Sequence, residues 1–242
     1  MNETEIESIA QAGLPLMNPT TPEMLLLAGS LARLSPGSVV YDIGCGNGTL
    51  LALWHEAYGI AGIGIEERTS SVARARSEVS GAGGQIRIIE GDGALWTPER
   101  AADCTVALGS AFIFGGAEGA IPRLAEMTAP GGVIVIGDRY WRSDRVSPEF
   151  AVQWPEIPTE YGLVSGAREC GLTLAGLVRA TEADHDAYES AIWQNCLDWM
   201  DAHPDHPDRP LVEEYLTRIQ DEYLVYGREA FGWACWIFRK QD

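Results

Sequence analysis

Short apolar runs separated by amphipathic stretches fill the first three quarters of the chain. After a polar N-terminal segment, residues 21–34 predict a helix, with Pro22 in its first turn and Met24, Leu25, Leu27, Ala28 and Leu31 on one side. Ser35-Pro36-Gly37 ends it. Strands are then predicted over residues 38–43, 60–65, 85–89, 104–108 and 132–136, with helices over about 49–58, 70–80 and 118–127. Apolar strands spaced by helices call for a parallel sheet covered on both faces.

The last quarter changes character. A helix near residues 159–170 leads to a strand over 173–180, and a last strand is expected over 232–239. Between these strands lie two helical stretches, about 183–201 and 211–227, joined by His203-Pro204-Asp205-His206-Pro207-Asp208. Leu211, Val212, Tyr215, Leu216, Ile219, Tyr223 and Tyr226 recur at helical spacing, so the second stretch packs on something. The expected fold is α/β: a Rossmann-like, seven-stranded, mostly parallel sheet with helices on both faces and a helical cap inserted between the last two strands. Residues 1–34 form an N-terminal helical cap segment, 35–180 the core, 181–230 the inserted cap and 231–242 the last core strand.

Composition narrows the function. The 242 residues carry 17 Lys+Arg against 35 Asp+Glu, a net charge of −18, and residues 181–230 alone hold 13 acids and 3 bases. Such a chain repels a phosphate backbone and anionic lipid alike, so nucleic acid and membrane are poor partners and a small molecule is the better one. An acidic start and the lack of a long apolar stretch point to the cytoplasm. Five scattered cysteines, with no Cys-x-x-Cys pair, read as reduced thiols, and no metal site is expected. Lys240 is the only lysine, which removes Schiff-base and P-loop chemistry unless the extreme C-terminus supplies it. Monomer and homodimer both stay open.

The strand over residues 38–43 runs into Asp42-Ile43-Gly44-Cys45-Gly46-Asn47-Gly48, a glycine turn at the carboxyl edge of the sheet. Bare backbone there lets a ligand approach closely. The spacing Gly-x-Gly-x-Gly lacks the third glycine of the dinucleotide fingerprint, and an acid precedes the turn. Glu66 ends the next strand, where a carboxylate accepts both hydroxyls of a ribose, and Asp92 follows the third in Glu90-Gly91-Asp92-Gly93-Ala94, in reach of an adenine amine.

Acids at consecutive strand ends, together with the glycine turn, resemble the class I S-adenosylmethionine-dependent methyltransferases over about residues 38–140. The resemblance implies S-adenosyl-L-methionine as cofactor and S-adenosyl-L-homocysteine as product. It implies that Asp42, Gly44, Cys45 and Gly46 line the methionine moiety, that Glu66 binds the ribose, and that Asp92 with Gly93 or Ala94 holds the adenine. Gly109 falls where that family places the sulfonium beside substrate. The segment from Thr181 through the aromatic helix, the Pro-rich turn and Tyr223 to Trp233 is similar to an uncharacterised bacterial branch of small-molecule methyltransferases.

Gly109-Ser110-Ala111-Phe112 departs from the Asn/Asp-Pro-Pro-Tyr/Phe motif of the family's amine-directed DNA and protein-glutamine members, which again favours a small acceptor. Candidate substrate contacts are Phe112, Tyr140, Trp141, Tyr188, Glu189 and Trp193, with Trp154 and Trp199 as further aromatic walls. Aromatics beside a carboxylate suit a cationic or aromatic amine. His185 and Tyr188 are the candidate catalytic side chains. His185 reads either as a general base or substrate partner, or as a solvated first-turn histidine. His203 and His206 read as a polar turn. The expected activity is methyl transfer to a small amine or aromatic compound under a cap that excludes water. A silent cofactor-binding sensor and a NAD-dependent oxidoreductase are the competing readings.

Overall fold

The computed structural model describes residues 1–143 and 145–241. Seven strands form one sheet in the order β3-β2-β1-β4-β5-β7-β6. The first five in that order, β3 (Ile86–Glu90), β2 (Ala61–Glu66), β1 (Val39–Ile43), β4 (Ala102–Leu108) and β5 (Thr128–Trp141), are parallel. β7 (Phe231–Lys240) runs antiparallel between β5 and β6 (Leu172–Arg179). The chain winds outward from β1 in one direction and from β4 in the other, so a crevice opens at the carboxyl ends of these two strands.

Both faces of the sheet are covered, which is why the strands read as apolar runs. One core joins α2 (Pro22–Leu31), α3 (Thr49–Tyr58) and α4 (Thr69–Glu78) to the sheet around Leu25, Leu51, Trp54 and Ile237. The other joins α5 (Ala117–Met127) and α7 (Glu160–Glu169) around Ile121, Leu124, Leu163 and Trp236. Side chains of this size, fully buried, contribute roughly 1.5–3 kcal/mol each. The Trp54 indole donates to the Leu25 carbonyl at 2.7 Å, fixing α3 against α2 without leaving the ring N–H orphaned. Lys240, the single lysine, donates to the carbonyls of Ala125 and Thr128 at 2.7 Å each and so closes the end of α5.

The cap departs from expectation in its makeup. A helix not foreseen from the pattern, α1 (Glu3–Ala10), is opened by a capping box between Asn2 and Glu5. It packs through Ile6 and Ala10 on the cap helices α8 (Glu182–Ala202) and α9 (Arg209–Glu222). The expected N-terminal cap segment, residues 1–34, is therefore split: α1 belongs with the cap, whereas α2 lies on the sheet. α9 ends at Glu222 and the chain continues through a π turn, Tyr223–Gly227, where an unbroken helix to 227 was expected. A four-residue helix, α6 (Pro148–Ala151), precedes α7, and the three residues Arg228–Ala230, α10, lead into β7.

β5 is longer than the pattern indicated. It runs to Trp141 because it pairs with β7 over Val133 to Trp141, well beyond its parallel partner β4. This extension decides which of its residues face the site.

Candidate functional site

Two adjoining cavities sit over the carboxyl edge of the sheet, one of ≈ 660 Å³ and one of ≈ 280 Å³. Met17, Asn18, Gly109, Phe112 and Arg139 line both.

The larger cavity rests on the ends of β1, β2 and β3. Gly44 has φ +74°, and a Cβ there would stand 2.4 Å from Cβ of Ser110, so only glycine lets the turn lie against the loop after β4. Ser110 in turn donates its hydroxyl to the Ile43 carbonyl. Asp42, 2% exposed, lines this cavity, and its Oδ1 is buried without a partner. Burial, and then the nearby Glu66, push its carboxyl up to about 7.

Glu66 accepts the backbone N–H of Gly46 at 2.9 Å through Oε2 and the backbone N–H of Arg68 at 2.9 Å through Oε1. The Arg68 guanidinium adds a contact to Oε1 at 3.2 Å. Each carboxylate oxygen has two lone pairs, so Oε1 is filled by the two Arg68 donors and Oε2 still accepts a further hydroxyl. Asp92 accepts the Ala94 N–H at 2.7 Å in a tight turn, and Asp92, Gly93 and Cys45 all stand in the cavity wall. Burial drives the Cys45 thiol upward, so it stays a neutral apolar group.

Over the glycine turn lies an N-terminal strap. Asn47 donates to the Leu14 carbonyl at 2.9 Å and Thr49 to the Pro15 carbonyl at 2.6 Å. The methyl of Met17 lies 2.5 Å from where a Cβ on Gly46 would stand. The Tyr188 hydroxyl donates to the Met17 carbonyl at 3.0 Å, so the cap helix α8 holds the strap down. Burial raises the phenol's pKa, and Tyr188 keeps its proton.

The smaller chamber is floored by β5 and β7 and roofed by α8 and the end of α9. On its floor Arg139 lies 4.2 Å over the ring of Trp154 and 5.4 Å from that of Phe231. Its guanidinium makes no hydrogen bond or ion pair among the described residues. Arg139 and Trp233 are cross-strand partners, and the Trp233 Nε1, in a ring 5% exposed, has no acceptor. In the roof, Glu189 and Glu222 are half-buried and likewise unpaired among the described residues. Burial, then repulsion by Glu222, push Glu189 up to about 7, against the pull of Arg139. Burial also raises Glu222, with Arg139 and Arg218 opposing.

His185 stands in the same roof at 7% exposure with Nε2 unpartnered, which corrects the solvated reading. Burial and then Arg142 lower it to about 4, so it is a neutral imidazole at pH 7.

The structure brings Phe112, Tyr188 and Glu189 to the chamber but not the other three expected contacts. Tyr140 is one residue on from Arg139, so strand alternation turns it to the opposite face, where it meets Trp236 edge-on at 5.5 Å. Trp141 stacks on Phe231 at 5.0 Å and against Phe150 at 5.9 Å, as packing beneath the cap. Trp193 lies behind Tyr223, ring centroids 6.0 Å apart, in the cluster that holds α1 to the cap. Trp154 backs Arg139, and Trp199 stacks on His203 at 4.7 Å. His206 accepts the Asp208 N–H at 3.1 Å, in keeping with a turn. The N-terminal segment around residues 14–24 was expected to cover the pocket with the cap, though without singling out Met17 or Asn18; sequence reasoning missed Arg68, Arg139 and Glu222. Only Arg139 carried a signal, its alternation with Tyr140.

A profile of the methyltransferase domain family matches residues 40–132. The chain is 31% identical over 241 residues to the uncharacterized protein YjhP of Escherichia coli, covering 97% of each. It is 30% identical to an S-adenosylmethionine-dependent methyltransferase of Geobacter sulfurreducens solved in complex with S-adenosyl-L-homocysteine, with a TM-score of 0.90 and 98% of both chains covered. A trans-aconitate 2-methyltransferase of Paracidovorax citrulli is 34% identical over 173 residues, 66% of this chain and 65% of that one. A glycine turn and strand-end acids at the switch point of a seven-stranded sheet define a nucleoside-cofactor enzyme. The chain belongs to the S-adenosylmethionine-dependent methyltransferases.

Proposed function

We propose that the enzyme methylates a small amine in the chamber beneath its cap. The carrying observation is the chamber's roof: the carboxyl groups of Glu189 and Glu222, unpaired among the described residues, with Glu156 at the rim, face the single guanidinium of Arg139 and a neutral imidazole. A pocket of that sign, walled by Tyr223, Phe231 and Trp233, suits a protonated nitrogen on an apolar or aromatic frame.

The residues at hand fit the cofactor. The orphaned Oδ1 of Asp42 is placed for the ammonium of a methionine moiety, Glu66 for a ribose diol, and Asp92 with Gly93 for an adenine. When bound, the cofactor supplies a sulfonium-activated methyl group. Gly109 and Asn18, common to both cavities, mark where the two reactants meet. The residues' work there is mostly positional: strap and cap exclude water and hold the acceptor nitrogen in line. An ammonium must lose its proton before its lone pair can react. Glu189, poised near neutrality, takes that proton on its carboxylate.

The similarity to trans-aconitate 2-methyltransferase raises a second reading, in which a polycarboxylate is the acceptor. The unpaired roof carboxyls of Glu189 and Glu222 weigh against a polyanion in this chamber. Release of S-adenosylhomocysteine from S-adenosylmethionine, measured across amines, phenols, thiols and polycarboxylates including trans-aconitate, tests the choice. Turnover is expected with amines. Turnover confined to polycarboxylates would sink the proposal.

A further inference from the structure

The chamber is polar in a second sense, because its positive and negative groups are on opposite sides. Arg139 and Trp233 are register partners on β5 and β7, so their side chains stand together on the floor, a guanidinium beside an indole. The guanidinium carbon lies over the Trp154 ring and near that of Phe231, and its N–H groups have no hydrogen-bond or ion-pair partner among the described residues. The Trp233 Nε1 is buried and without an acceptor, in a residue 95% removed from solvent. Opposite, Glu189 on α8 and Glu222 at the end of α9 face the same space, unpaired among the described residues, beside the buried Nε2 of His185, which also has no partner among them. Arg139 is not neutralised by its neighbours on the floor. Asp138 turns one oxygen to the Arg139 backbone N–H at 2.7 Å, and burial holds its carboxyl toward the neutral form. Glu156 is exposed, next to Gly116 at the rim.

We infer that the acceptor is bipolar: a small amino acid-like molecule whose anionic oxygens are held by Arg139 and the Trp233 indole, and whose ammonium is held by Glu189 and Glu222. This rests on the reading of the site as an amine methyltransferase and narrows it. Unpaired buried donors and acceptors cost stability when empty, and a ligand carrying both charges satisfies floor and roof at once. A simple amine leaves the floor donors bare. A simple acid leaves the roof carboxylates bare and repelling.

Carbon-matched probes separate the alternatives. Phenylalanine, phenethylamine and 3-phenylpropanoate share a frame and differ only in charge, as do γ-aminobutyrate, butylamine and butyrate. Each is titrated calorimetrically into the enzyme saturated with S-adenosylhomocysteine. In at least one set the zwitterion is expected to bind about tenfold or more tighter than either partner, since two charge-assisted contacts replace one. Arg139→Gln should lower that zwitterion's affinity to that of its matched amine, and the double variant Glu189→Gln, Glu222→Gln should lower it to that of the acid. Melting curves establish that the variants fold, and Arg139→Lys, which keeps charge but not the planar fork, should recover only part of the affinity. Amines that bind as tightly as their zwitterions, with no effect of Arg139→Gln, overturn the bipolar inference and leave the amine reading standing. No binding in either set, or tightest binding by the acids, overturns both.

Discussion

The larger cavity is walled by backbone and by acids fixed at strand ends; the smaller chamber is roofed by long side chains carried by two helices and a strap. The floor of the first is tied together by bonds between neighbouring strand ends of the sheet, such as the Gly46 N–H to Glu66 and Ser110 to Ile43. The second depends on contacts between strap and cap that the sheet does not order, Tyr188 to Met17 and Trp193 to Tyr223 among them. A shared cofactor demands a fixed cradle, whereas acceptors vary, and on the proposed roles the difference in construction follows from that difference in task.

The sharpest way to break this contrast is to deform the cradle alone. In Gly44→Ala the added Cβ meets Ser110 at 2.4 Å and the backbone is held at φ +74°. A cost of about 2–4 kcal/mol is expected from overpacking and strain together. Urea unfolding should show a lower midpoint with unchanged slope, and S-adenosylhomocysteine binding should be lost. An unchanged midpoint would show that the turn relaxes and that the cradle is softer than its packing implies.

Glu66→Ala removes a partner of the glycine turn together with the proposed ribose acceptor. Affinity for S-adenosylhomocysteine should fall by about 1–3 kcal/mol. Calorimetry giving wild-type affinity would remove the ribose assignment.

Why the cradle was legible in the sequence and the chamber was not can be traced to single residues. Asp42, Glu66 and Asp92 each follow directly from a strand whose apolar run is visible, so locating the strand end locates the acid. Tyr140 and Trp141 were expected just past the end of β5, but antiparallel pairing with β7, a partner about a hundred residues away, carries the strand through them. The alternation that faces Arg139 to the chamber then faces Tyr140 away. Met17 and Asn18 come from a stretch without periodicity, held by bonds from Asn47, Thr49 and Tyr188. The cap pattern showed that α9 packs on something, yet not that the partner includes α1 or that the π turn presents Tyr223 to the chamber.

pH sharpens the comparison, because each region holds one carboxyl shifted to about 7, Asp42 in the cradle and Glu189 in the roof. Both folded values lie above those of the unfolded chain. Their contribution to stability is therefore fully present below about pH 4 and is lost as pH rises through 7. The ligand-free enzyme should melt at lower temperature at pH 8 than at pH 6, a difference reduced in Glu189→Gln. Ligand binding runs the other way. A cationic amino group opposite Asp42 requires the carboxylate, so S-adenosylhomocysteine affinity should fall roughly tenfold per pH unit below 7. Asp42→Asn should weaken binding and flatten that dependence; an unaltered slope would place the titrating group elsewhere.

The smallest effect tests the joint between the two regions. Tyr188→Phe deletes only the hydroxyl that donates to the Met17 carbonyl, leaving the ring in the chamber wall. One neutral hydrogen bond is at stake, about 1 kcal/mol. Met17 covers the glycine turn on one side and lines the acceptor chamber on the other, so loosening it should raise KM for S-adenosylmethionine and for the acceptor together, each by roughly fivefold. If Tyr188 instead acted on the acceptor as a proton carrier, the loss would fall on kcat, with KM for the cofactor unmoved. Hydrogen exchange at the strap amides distinguishes the two independently. Faster exchange in the variant is the signature of a clasp between cap and cradle, and unchanged exchange would detach the strap from the cap.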